Sequence, residues 1–453
     1  MASSENNREG LWSERLRISL FSKNLGYKSP TGTPMSKSGK ILQWPVILIV
    51  FTALFSSCTG NRVLLNVTNP AEIAVNDAPV VISRSALQDA LQVLSERKVP
   101  GVFLSNGEPL PSQADDLDGD GRWDELFFLV DLDRAATKEL KIKMVNPARL
   151  PEFASRSNIR FASITNDTVF SPLTTAVRLN QEEGQATGRF QFEGPGWEND
   201  RVGFRNYFDA RNGMDIFGKT TAAMILDSVG INEDYHAMQP WGMDILRVGT
   251  SLGAGSLAIE KNGALHRLGP EAKGSIEVIT DGPLRSILRL HYNDWIIEEE
   301  SYQVTQEIII YGGAWYYESK VTVAGNTAGI HLVTGITSID LAERVATEKF
   351  MQGRVVSVST FGNQAFLGER LGLAVMTYAG NYLGYQNLGP EAPGINNTFI
   401  VRMSVQDNVP VIFRFYAGWE LSSTRFTTPA GFVQLLEEDA VRKANPVRVH
   451  FVR

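Results

Sequence analysis

Charged and aromatic side chains alternate with apolar ones along residues 201–211. Neighbouring side chains of a strand point to opposite faces, so Val202, Phe204 and Phe208 can pack in a core. The opposite face then carries Arg201, Arg205, Tyr207, Asp209 and Arg211. Guanidinium groups bind carboxylates through paired hydrogen bonds. The pattern predicts a site for an anionic or hydroxyl-rich ligand, although a solvent-exposed outer sheet face has the same alternation.

A second polar cluster follows at residues 234–244. His236 lies there between Tyr235 and a Pro-Trp-Gly turn, and loops of this kind often hold functional residues. Histidine titrates near neutral pH and can accept or donate a proton. The sequence makes His236 a candidate general base, while a purely structural histidine is the alternative. Trp197 and Trp241 are candidates to stack on a ligand ring.

An acidic loop at residues 115–125 has aspartates at alternate positions, followed by glycines. Carboxylate oxygens in this arrangement suit a hard cation such as Ca²⁺. The predicted ligands are Asp116, Asp118, Asp120 and Asp124. Phe127 occupies the twelfth loop position, where a bidentate glutamate is usual. We expect a structural role for Ca²⁺ here, and an acidic turn without metal is the alternative.

The N-terminal region predicts export. Lys37 and Lys40 precede an apolar run at residues 41–55, then two serines and Cys58, the layout of a secretory signal. Cys58 is the only cysteine in the chain, so it has no intramolecular disulfide partner. The segment resembles the lipidation site of bacterial lipoproteins, except that Phe55 is larger than usual at its position.

That resemblance implies a protein lipid-anchored in the cell envelope of a Gram-negative bacterium, on its periplasmic side or exposed at the surface. Ordinary signal cleavage is the alternative. We exclude residues 1–57 from the fold as a leader and signal peptide, with Met1 or Met35 as the start.

Composition favours a β-rich globular protein. The chain has 453 residues, 43% of them hydrophobic and 21% charged, with 40 glycines and few long helical patterns. Its net charge of −7 gives no broad basic surface for nucleic acid. A Gly-x-Gly-x-x-Gly dinucleotide fingerprint and a His-Glu-x-x-His zinc motif are absent from the sequence.

Strand patterns dominate after the leader. Residues 303–311 and 315–323 alternate around a Gly-Gly-Ala turn and predict a hairpin. Residues 429–443 predict a helix with an apolar side. Two prolines at 147 and 151 suggest a boundary. We therefore predict an N-terminal β-sandwich over 61–145 and a larger β domain over 152–453.

The segments 113–131, 194–219 and 234–255 resemble domain of unknown function 4861, a family of exported Bacteroidetes proteins linked to polysaccharide use. The larger domain also resembles the β-supersandwich of galactose-mutarotase-like proteins, through its Gly312-Gly313 hairpin and its Tyr316-Tyr317-Glu318 strand. The predicted fold is thus mostly β, with a small sandwich and a large mutarotase-like β-supersandwich whose concave face holds the ligand.

The family resemblance implies a carbohydrate partner, and the basic strand favours an acidic poly- or oligosaccharide. The prediction is an oligosaccharide lyase that cleaves beside a uronate by β-elimination. Arg205 and Arg211 would bind the uronate carboxylate, with His236 as base and Tyr207 as acid, or the reverse. Further substrate contacts are assigned to Arg201, Asp209, Tyr235 and His331.

Three other functions remain open from the sequence. One is a glycan-binding lipoprotein without activity. Another is a glycoside hydrolase using a carboxylate pair among Asp209, Asp215, Asp234, Asp244, Glu307 and Glu318. A third is a sugar epimerase or mutarotase with His236 and Glu307 or Glu318 as its acid and base.

Overall fold

Residues 62–91, 94, 97–166, 169–174, 177–179, 188–268, 273–340 and 345–452 are described by the computed structural model. The predicted leader, 1–57, and the predicted lipidation site, Cys58, lie outside them. Within the described part of the chain, no helix has the length and apolar character needed to cross a membrane. Antiparallel strands form most of the regular structure, which confirms the mostly β prediction.

The elements run in three stretches of the chain. The first contains β1 (Arg62–Thr68), β2 (Val75–Ser83), α1 (Arg84–Leu91), β3 (Val99–Phe103), β4 (Pro109–Leu110), β5 (Ser112–Asp115), β6 (Glu125–Leu132) and β7 (Thr137–Val145). The second contains β8 (Ser157–Arg160), β9 (Ala162–Asn166), β10 (Val169–Pro172), β11 (Val177–Leu179), β12 (Gly196–Asn199), β13 (Val202–Asn206), β14 (Met214–Lys219), β15 (Gly242–Asp244), β16 (Ala258–Lys261) and β17 (Ala264–Arg267). The third contains β18 (Lys273–Asp281), β19 (Arg285–Ile297), β20 (Glu300–Tyr311), β21 (Tyr316–Ala324), β22 (Ile330–Thr337), β23 (Val345–Phe350), β24 (Val355–Gly362), β25 (Leu371–Tyr378), β26 (Tyr382–Leu388), β27 (Thr398–Ser404), β28 (Val411–Trp419), α2 (Pro429–Ala444) and β29 (Arg448–Val452).

Two sheets share a core in the N-terminal part. One has the order β29-β1-β7-β3-β4 and the other β2-β6-β5. Alternate side chains of both sheets, such as Leu65 and Phe128, enter the same apolar cluster, which Leu87 of α1 also joins. The strand β29 differs from the predicted boundaries, because residues 448–452 pair with β1 rather than with the larger sheets. That long-range pairing has no local signal in the sequence.

The larger part has one nine-stranded antiparallel sheet, β11-β18-β19-β20-β21-β28-β25-β24-β23. Two five-stranded sheets, β15-β14-β13-β12-β8 and β17-β16-β22-β27-β26, accompany it. Side chains from all three sheets, including Phe204, Ile308 and Leu332, form a single large core. The layered arrangement follows from alternation, since each strand buries every second side chain between the sheets.

Helix α2 covers the opposite face of the nine-stranded sheet. Thr428 caps its N-terminus by accepting a hydrogen bond from the Gly431 N–H, and Pro429 begins the first turn. Phe432 and Leu435 pack on sheet residues such as Tyr416. The neighbouring residue of the strand, Phe415, belongs to the core between the sheets. The predicted helix over 429–443 is therefore confirmed, with one more residue at its end.

Candidate functional site

The five-stranded sheet β15-β14-β13-β12-β8 carries the polar residues predicted from the sequence. Across this sheet Arg205 stands opposite Asp215, and Phe217 stands opposite Asp244. Opposite residues of antiparallel strands share a face, so these four side chains lie on one side. The alternating residues Phe204 and Ile216 point into the main core. The candidate site thus occupies the outer face of this sheet, not the concave face that we predicted.

The segment 220–241, between β14 and β15, packs over that outer face. Both backbone N–H groups of Ile225 and Leu226 donate to one oxygen of the Glu198 carboxylate, at 2.7 Å each. The ammonium group of Lys219 pairs with the other Glu198 oxygen, and neither side chain is exposed. Burial lowers the pKa of Lys219. This buried ion pair holds the start of the covering segment onto the sheet.

Apolar contacts hold the rest of the covering segment. Phe217 contacts the rings of Tyr235 and Trp241 edge to face, with ring centroids 6.0 Å apart in both cases. The side-chain amide of Gln191 donates to the carbonyl oxygens of Leu226 and Val229. Polar groups on the sheet beneath are consequently shielded from water, and this shielding strengthens the electrostatic interactions between them.

Arg205 is the centre of a buried network. Its Nη2 donates to Asp215 Oδ2 at 2.7 Å and to Asp244 Oδ2 at 2.5 Å. The same nitrogen donates to the Tyr207 hydroxyl at 2.8 Å, and Nη1 donates to the Tyr235 hydroxyl at 3.1 Å. The Arg205 side chain is only 2% exposed. The prediction that Arg205 binds a substrate carboxylate is wrong, because its own carboxylates already occupy the guanidinium.

Two protons in this network are held tightly. Burial, followed by the charge of Asp215, raises the pKa of Asp244 well above its ordinary value, and the positive charge of Arg205 only partly opposes this. Burial and the Asp215 carboxylate also raise the pKa of the Tyr207 hydroxyl, which donates to Asp215. Asp215 and Asp244 both contact Nη2 of Arg205, and the raised pKa of Asp244 favours its protonated form.

His236 lies at the solvent-facing edge of the network. Its side chain is 53% exposed, and its Nε2 is 3.8 Å from Asp244 Oδ2. Its Nδ1 is 3.3 Å from Asp234 Oδ1, and its ring lies 4.5 Å from the ring of Tyr235. A histidine with one face open to solvent and the other beside a carboxyl group can exchange protons with a bound ligand. The sequence-based choice of His236 therefore has a suitable geometry.

Arg211 approaches the same place from the turn after β13. Its guanidinium carbon lies 4.5 Å from the centre of the Tyr207 ring. Both oxygens of the buried Asp209 accept hydrogen bonds from Arg211, and Glu193 lies 3.4 Å from its Nη1. The Arg211 side chain is 29% exposed. Arg205, Tyr207, Arg211 and His236 therefore form one connected group, as their clustering in the sequence suggested.

Several predicted ligand contacts lie elsewhere. Trp197 is fully buried and packs against Phe204 and Tyr317, so the prediction that it stacks on a sugar is wrong. Trp241 is 8% exposed, because its ring belongs to the cluster under the covering segment. Asp209 is fully buried against Arg211 and cannot reach a ligand directly.

Two more predicted contacts also differ. Arg201 is exposed, and its guanidinium lies over Trp315 at 5.7 Å rather than in the network. His331 belongs to the sheet β17-β16-β22-β27-β26, where it contacts Glu260 at 3.0 Å. Of the five residues assigned to the polar strand face, only Arg205 lies within β13, because the strand ends at Asn206 and the chain turns at residues 208–211.

Sequence reasoning missed the roles of Asp215, Glu193 and Glu198. Asp215 pairs with Arg205 directly across the β13–β14 hairpin, so a register assigned to that hairpin would have found it. Glu193 and Glu198 stood beside the predicted strand, and both proved to hold partners from distant positions. Their roles depend on contacts between residues up to 28 positions apart, which local patterns do not specify.

The sequence model of the family described as Domain of unknown function (DUF4861) matches residues 67–449. The chain belongs to this family. The DUF4861 match spans both the N-terminal sheets and the sheet that carries the Arg205 network. The resemblance seen in the sequence is thereby confirmed.

One relative of this chain is "Uncharacterized protein P7" of Formosa agariphila. It is 22% identical over 433 residues, which cover 89% of this chain and 98% of the relative. Among solved structures, the chain is similar to an α-mannosidase from Enterococcus faecalis, with a TM-score of 0.46 and 8% identity over 87% of this chain.

A glycosyl hydrolase family 38 protein from Enterococcus faecalis has the same TM-score, 0.46, and also 8% identity over 87% of this chain. This chain spans 46% and 48% of those two proteins, less than half of each.

The acidic loop at residues 115–125 joins β5 to β6 in the N-terminal part of the protein. Carboxylate oxygens of Asp116, Asp118 and Asp120 all come within 4.8 Å of one another. All four predicted ligands also accept hydrogen bonds from backbone N–H groups of the loop, and Asp124 accepts from Leu117 at 2.7 Å. Three of the four face one point, and the loop is also held by these hydrogen bonds of its own. Oxygen ligands at this spacing fit Ca²⁺.

Proposed function

We propose that this protein is a lyase that uses general acid–base catalysis to cleave an acidic glycan beside a uronate by β-elimination. One observation carries the proposal: the solvent-exposed His236 lies 3.8 Å from Asp244 in a buried network that also contains the Tyr207 hydroxyl. Perturbed carboxyl and phenol groups beside an exposed histidine are typical of sites that transfer protons.

Each group has a role in the proposed reaction. His236 Nε2 removes the proton from C5 of the uronate, and the electron pair of that C–H bond forms the C4–C5 double bond. The glycosidic oxygen leaves C4 and takes the proton of the Tyr207 hydroxyl. Arg205 already donates to that hydroxyl at 2.8 Å, so it stabilises the tyrosinate as the proton departs.

The raised pKa of Tyr207 favours this direction over its reverse. Because burial and Asp215 keep the phenol protonated, Tyr207 is not available as the base, and as the acid it depends on Arg205 to stabilise the tyrosinate. Arg211 is the basic group with exposed surface beside Tyr207, and it supports binding of the uronate carboxylate. Arg205 becomes a positioning residue, since it touches Asp215 and Asp244 rather than open space.

The alternatives have less support from these contacts. A two-carboxylate glycosidase needs its carboxyl groups separated by about 5 Å or more, whereas Asp215 and Asp244 share one nitrogen of Arg205. An epimerase built on His236 with Glu307 or Glu318 needs those groups together. Glu307 pairs with Arg289 and Lys320 in the nine-stranded sheet, and Glu318 pairs with Arg414 there. A binding protein without activity would use the same surface, and it is the outcome that the experiment must separate.

The remaining predictions from the sequence complete the proposal. The protein is exported and lipid-anchored through Cys58 in the cell envelope, where it meets acidic oligosaccharides. Ca²⁺ bound by Asp116, Asp118 and Asp120 stabilises the N-terminal part without joining the reaction. The larger part is a β-supersandwich of the galactose-mutarotase type, an assignment supported by its nine-stranded sheet packed against two smaller sheets.

The test is incubation with pectin-like, ulvan-like and glycosaminoglycan oligosaccharides, followed by ultraviolet absorbance. We expect a rising signal from the conjugated double bond, and a loss of about 100-fold or more in rate for His236→Ala. Tyr207→Phe should have a similar effect, because it removes the proton donor.

His291→Ala is the matched control. His291 is a partly exposed histidine of the nine-stranded sheet that contacts Thr305 at 3.2 Å, so its removal should leave the rate unchanged. If the protein binds oligosaccharides tightly without turnover, and His236→Ala leaves that binding unchanged, the proposal of an enzyme is wrong and the protein is a glycan-binding protein.

A further inference from the structure

A cavity of about 300 Å³ lies away from the Arg205 network. It is enclosed by the start of β2, the turn between β20 and β21, the strand β28 and the helix α2. Its volume is at the lower end of the range for small-molecule sites, about 300–1,000 Å³. It therefore suits a ligand of the size of a monosaccharide.

The cavity has aromatic walls as well as charged ones. Tyr311, Trp315, Tyr316 and Tyr378 all line it. Aromatic rings with polar edges pack well against small cyclic ligands and still satisfy their hydroxyl groups. The lining also includes charged residues of both signs from β21, β28 and α2.

Each carboxylate that lines this cavity already has a guanidinium partner. Glu318 accepts from Arg414 Nε at 2.9 Å, and Asp439 contacts Arg442 at 3.0 Å. Asp77, at the edge of β2, pairs with Arg156 at 2.6 Å.

Lys443 lines the same cavity and differs from these pairs. It is 7% exposed, and its Nζ lies 4.3 Å from the centre of the Tyr378 ring. Across the described ranges, no carboxylate comes within ion-pair distance of it. A buried ammonium group is costly unless an anion accompanies it.

We propose that this cavity binds a small organic carboxylate of the size of a sugar acid, with the ligand's carboxylate paired to Lys443 and its ring packed against the aromatic wall. The ligand supplies the anion that the protein does not provide at Lys443. The three protein carboxylates stay with their arginines, so the added negative charge meets no unpaired carboxylate in the lining.

Proton binding gives this site a measurable signature. Burial, aided by the nearby charge of Arg414, lowers the pKa of Lys443 to about 7, and Glu318 opposes this shift. The other titratable and charged groups that line the cavity are Asp77 from β2, Tyr311 from β20, Tyr316 from β21, Tyr378 from β25, and Asp439 and Arg442 from α2. A bound carboxylate favours the charged amine, so binding at pH 8 takes up a proton, while binding at pH 6 takes up little.

This inference does not depend on the proposed lyase activity. The cavity lining includes none of Arg205, Tyr207, Asp215, His236 or Asp244. Either proposal can therefore fail while the other stands, and the two assays report on different variants.

The experiment is calorimetric titration of the full chain with sodium glucuronate and sodium galacturonate, with glucose as the neutral counterpart. Each titration is repeated at pH 8 in two buffers of different ionisation enthalpy, which gives the number of protons taken up. Lys443→Met keeps an unbranched side chain, one atom shorter, and removes the charge. Lys349→Met, at an exposed lysine of the edge strand β23, is the matched control. Circular dichroism establishes that both variants are folded.

We expect a uronate to bind with uptake of close to one proton at pH 8, and glucose to bind far more weakly. Lys443→Met should weaken uronate binding by about 30-fold or more, the effect of removing one partner of a buried charge pair. Lys349→Met should match the unchanged chain. Equal binding by Lys443→Met, binding without proton uptake, or no binding of either uronate at millimolar concentration overturns the proposal.

Discussion

Removing the Arg205 guanidinium should destabilise the protein strongly. In Arg205→Met, the Asp215 and Asp244 carboxyl groups keep their buried positions, 0% and 3% exposed, but lose the cation that they share. Removing one partner of a buried ion pair costs about 3–5 kcal/mol. We expect a loss in this range in the free energy of unfolding, measured from denaturant midpoints at pH 8.

Arg201→Met is the matched control for this prediction. Arg201 lies directly before β13 but is exposed, so its replacement should change stability by no more than about 0.5 kcal/mol. A loss below about 1 kcal/mol for Arg205→Met, close to the control, would refute the view that Arg205 holds the network together.

The dependence on pH provides a second check on Arg205→Met. Arg205, with a smaller contribution from the Leu246 N–H, lowers the pKa of Asp244 against burial and Asp215, which raise it. Without Arg205 that pKa rises further above its unfolded value of about 3.9. A carboxyl group with a raised folded pKa stabilises the fold when protonated, and this contribution is lost as pH rises through the folded pKa. The unchanged chain loses the same contribution up to its own raised pKa of Asp244, so the deficit of Arg205→Met should grow only as pH rises above that pKa. A deficit that stays constant up to pH 8 would contradict the assignment.

Three further predictions concern the elements around the site. Ca²⁺ should raise the melting temperature by mass action on the folded loop, and Asp118→Asn should reduce that rise; equal melting curves with calcium and with chelator would argue against the site. Gly242→Ala should lower the free energy of unfolding by about 3 kcal/mol or more and should lower activity, because φ is +126° there and a Cβ would clash with the carbonyl oxygen of Gly218. Stability close to that of the unchanged chain would count against the β14–β15 pairing. Glu198→Gln should lower the free energy of unfolding by about 3–5 kcal/mol, because Lys219 is left buried without a counter-ion. It should also speed proteolysis within residues 220–241, and an unchanged rate of cleavage would mean that this pair does not hold the covering segment.

Local patterns in the sequence predicted individual strands and helices better than they predicted which strands pair with each other. The Gly-Gly hairpin between β20 and β21 and the helix α2 follow from turn residues and periodicity, and both are present. The pairing of β29 with β1 joins positions nearly the whole described chain apart. Nothing in either strand alone specifies that partner, since any exposed edge offers the same hydrogen-bonding groups.

The candidate site shows the same division. Alternation placed Arg205 and Tyr207 on one face, and the loop position of His236 marked it as available. Burial of Arg205 could not be predicted, because it depends on the segment 220–241 folding over the sheet. The same packing explains why Trp241 is buried, although an aromatic residue in a loop is a reasonable candidate for ligand stacking.

The most direct test of the proposed reaction is the mass of the product formed in water enriched in heavy oxygen. Elimination breaks the C4–O bond without adding water, so the fragment with the unsaturated end should weigh one water less than its hydrolysis counterpart. The new reducing end should keep the original glycosidic oxygen, whereas hydrolysis places heavy oxygen there. We predict the elimination result for the unchanged chain, and no product for His236→Ala. A saturated C4 end together with heavy oxygen at the new reducing end would contradict the β-elimination mechanism.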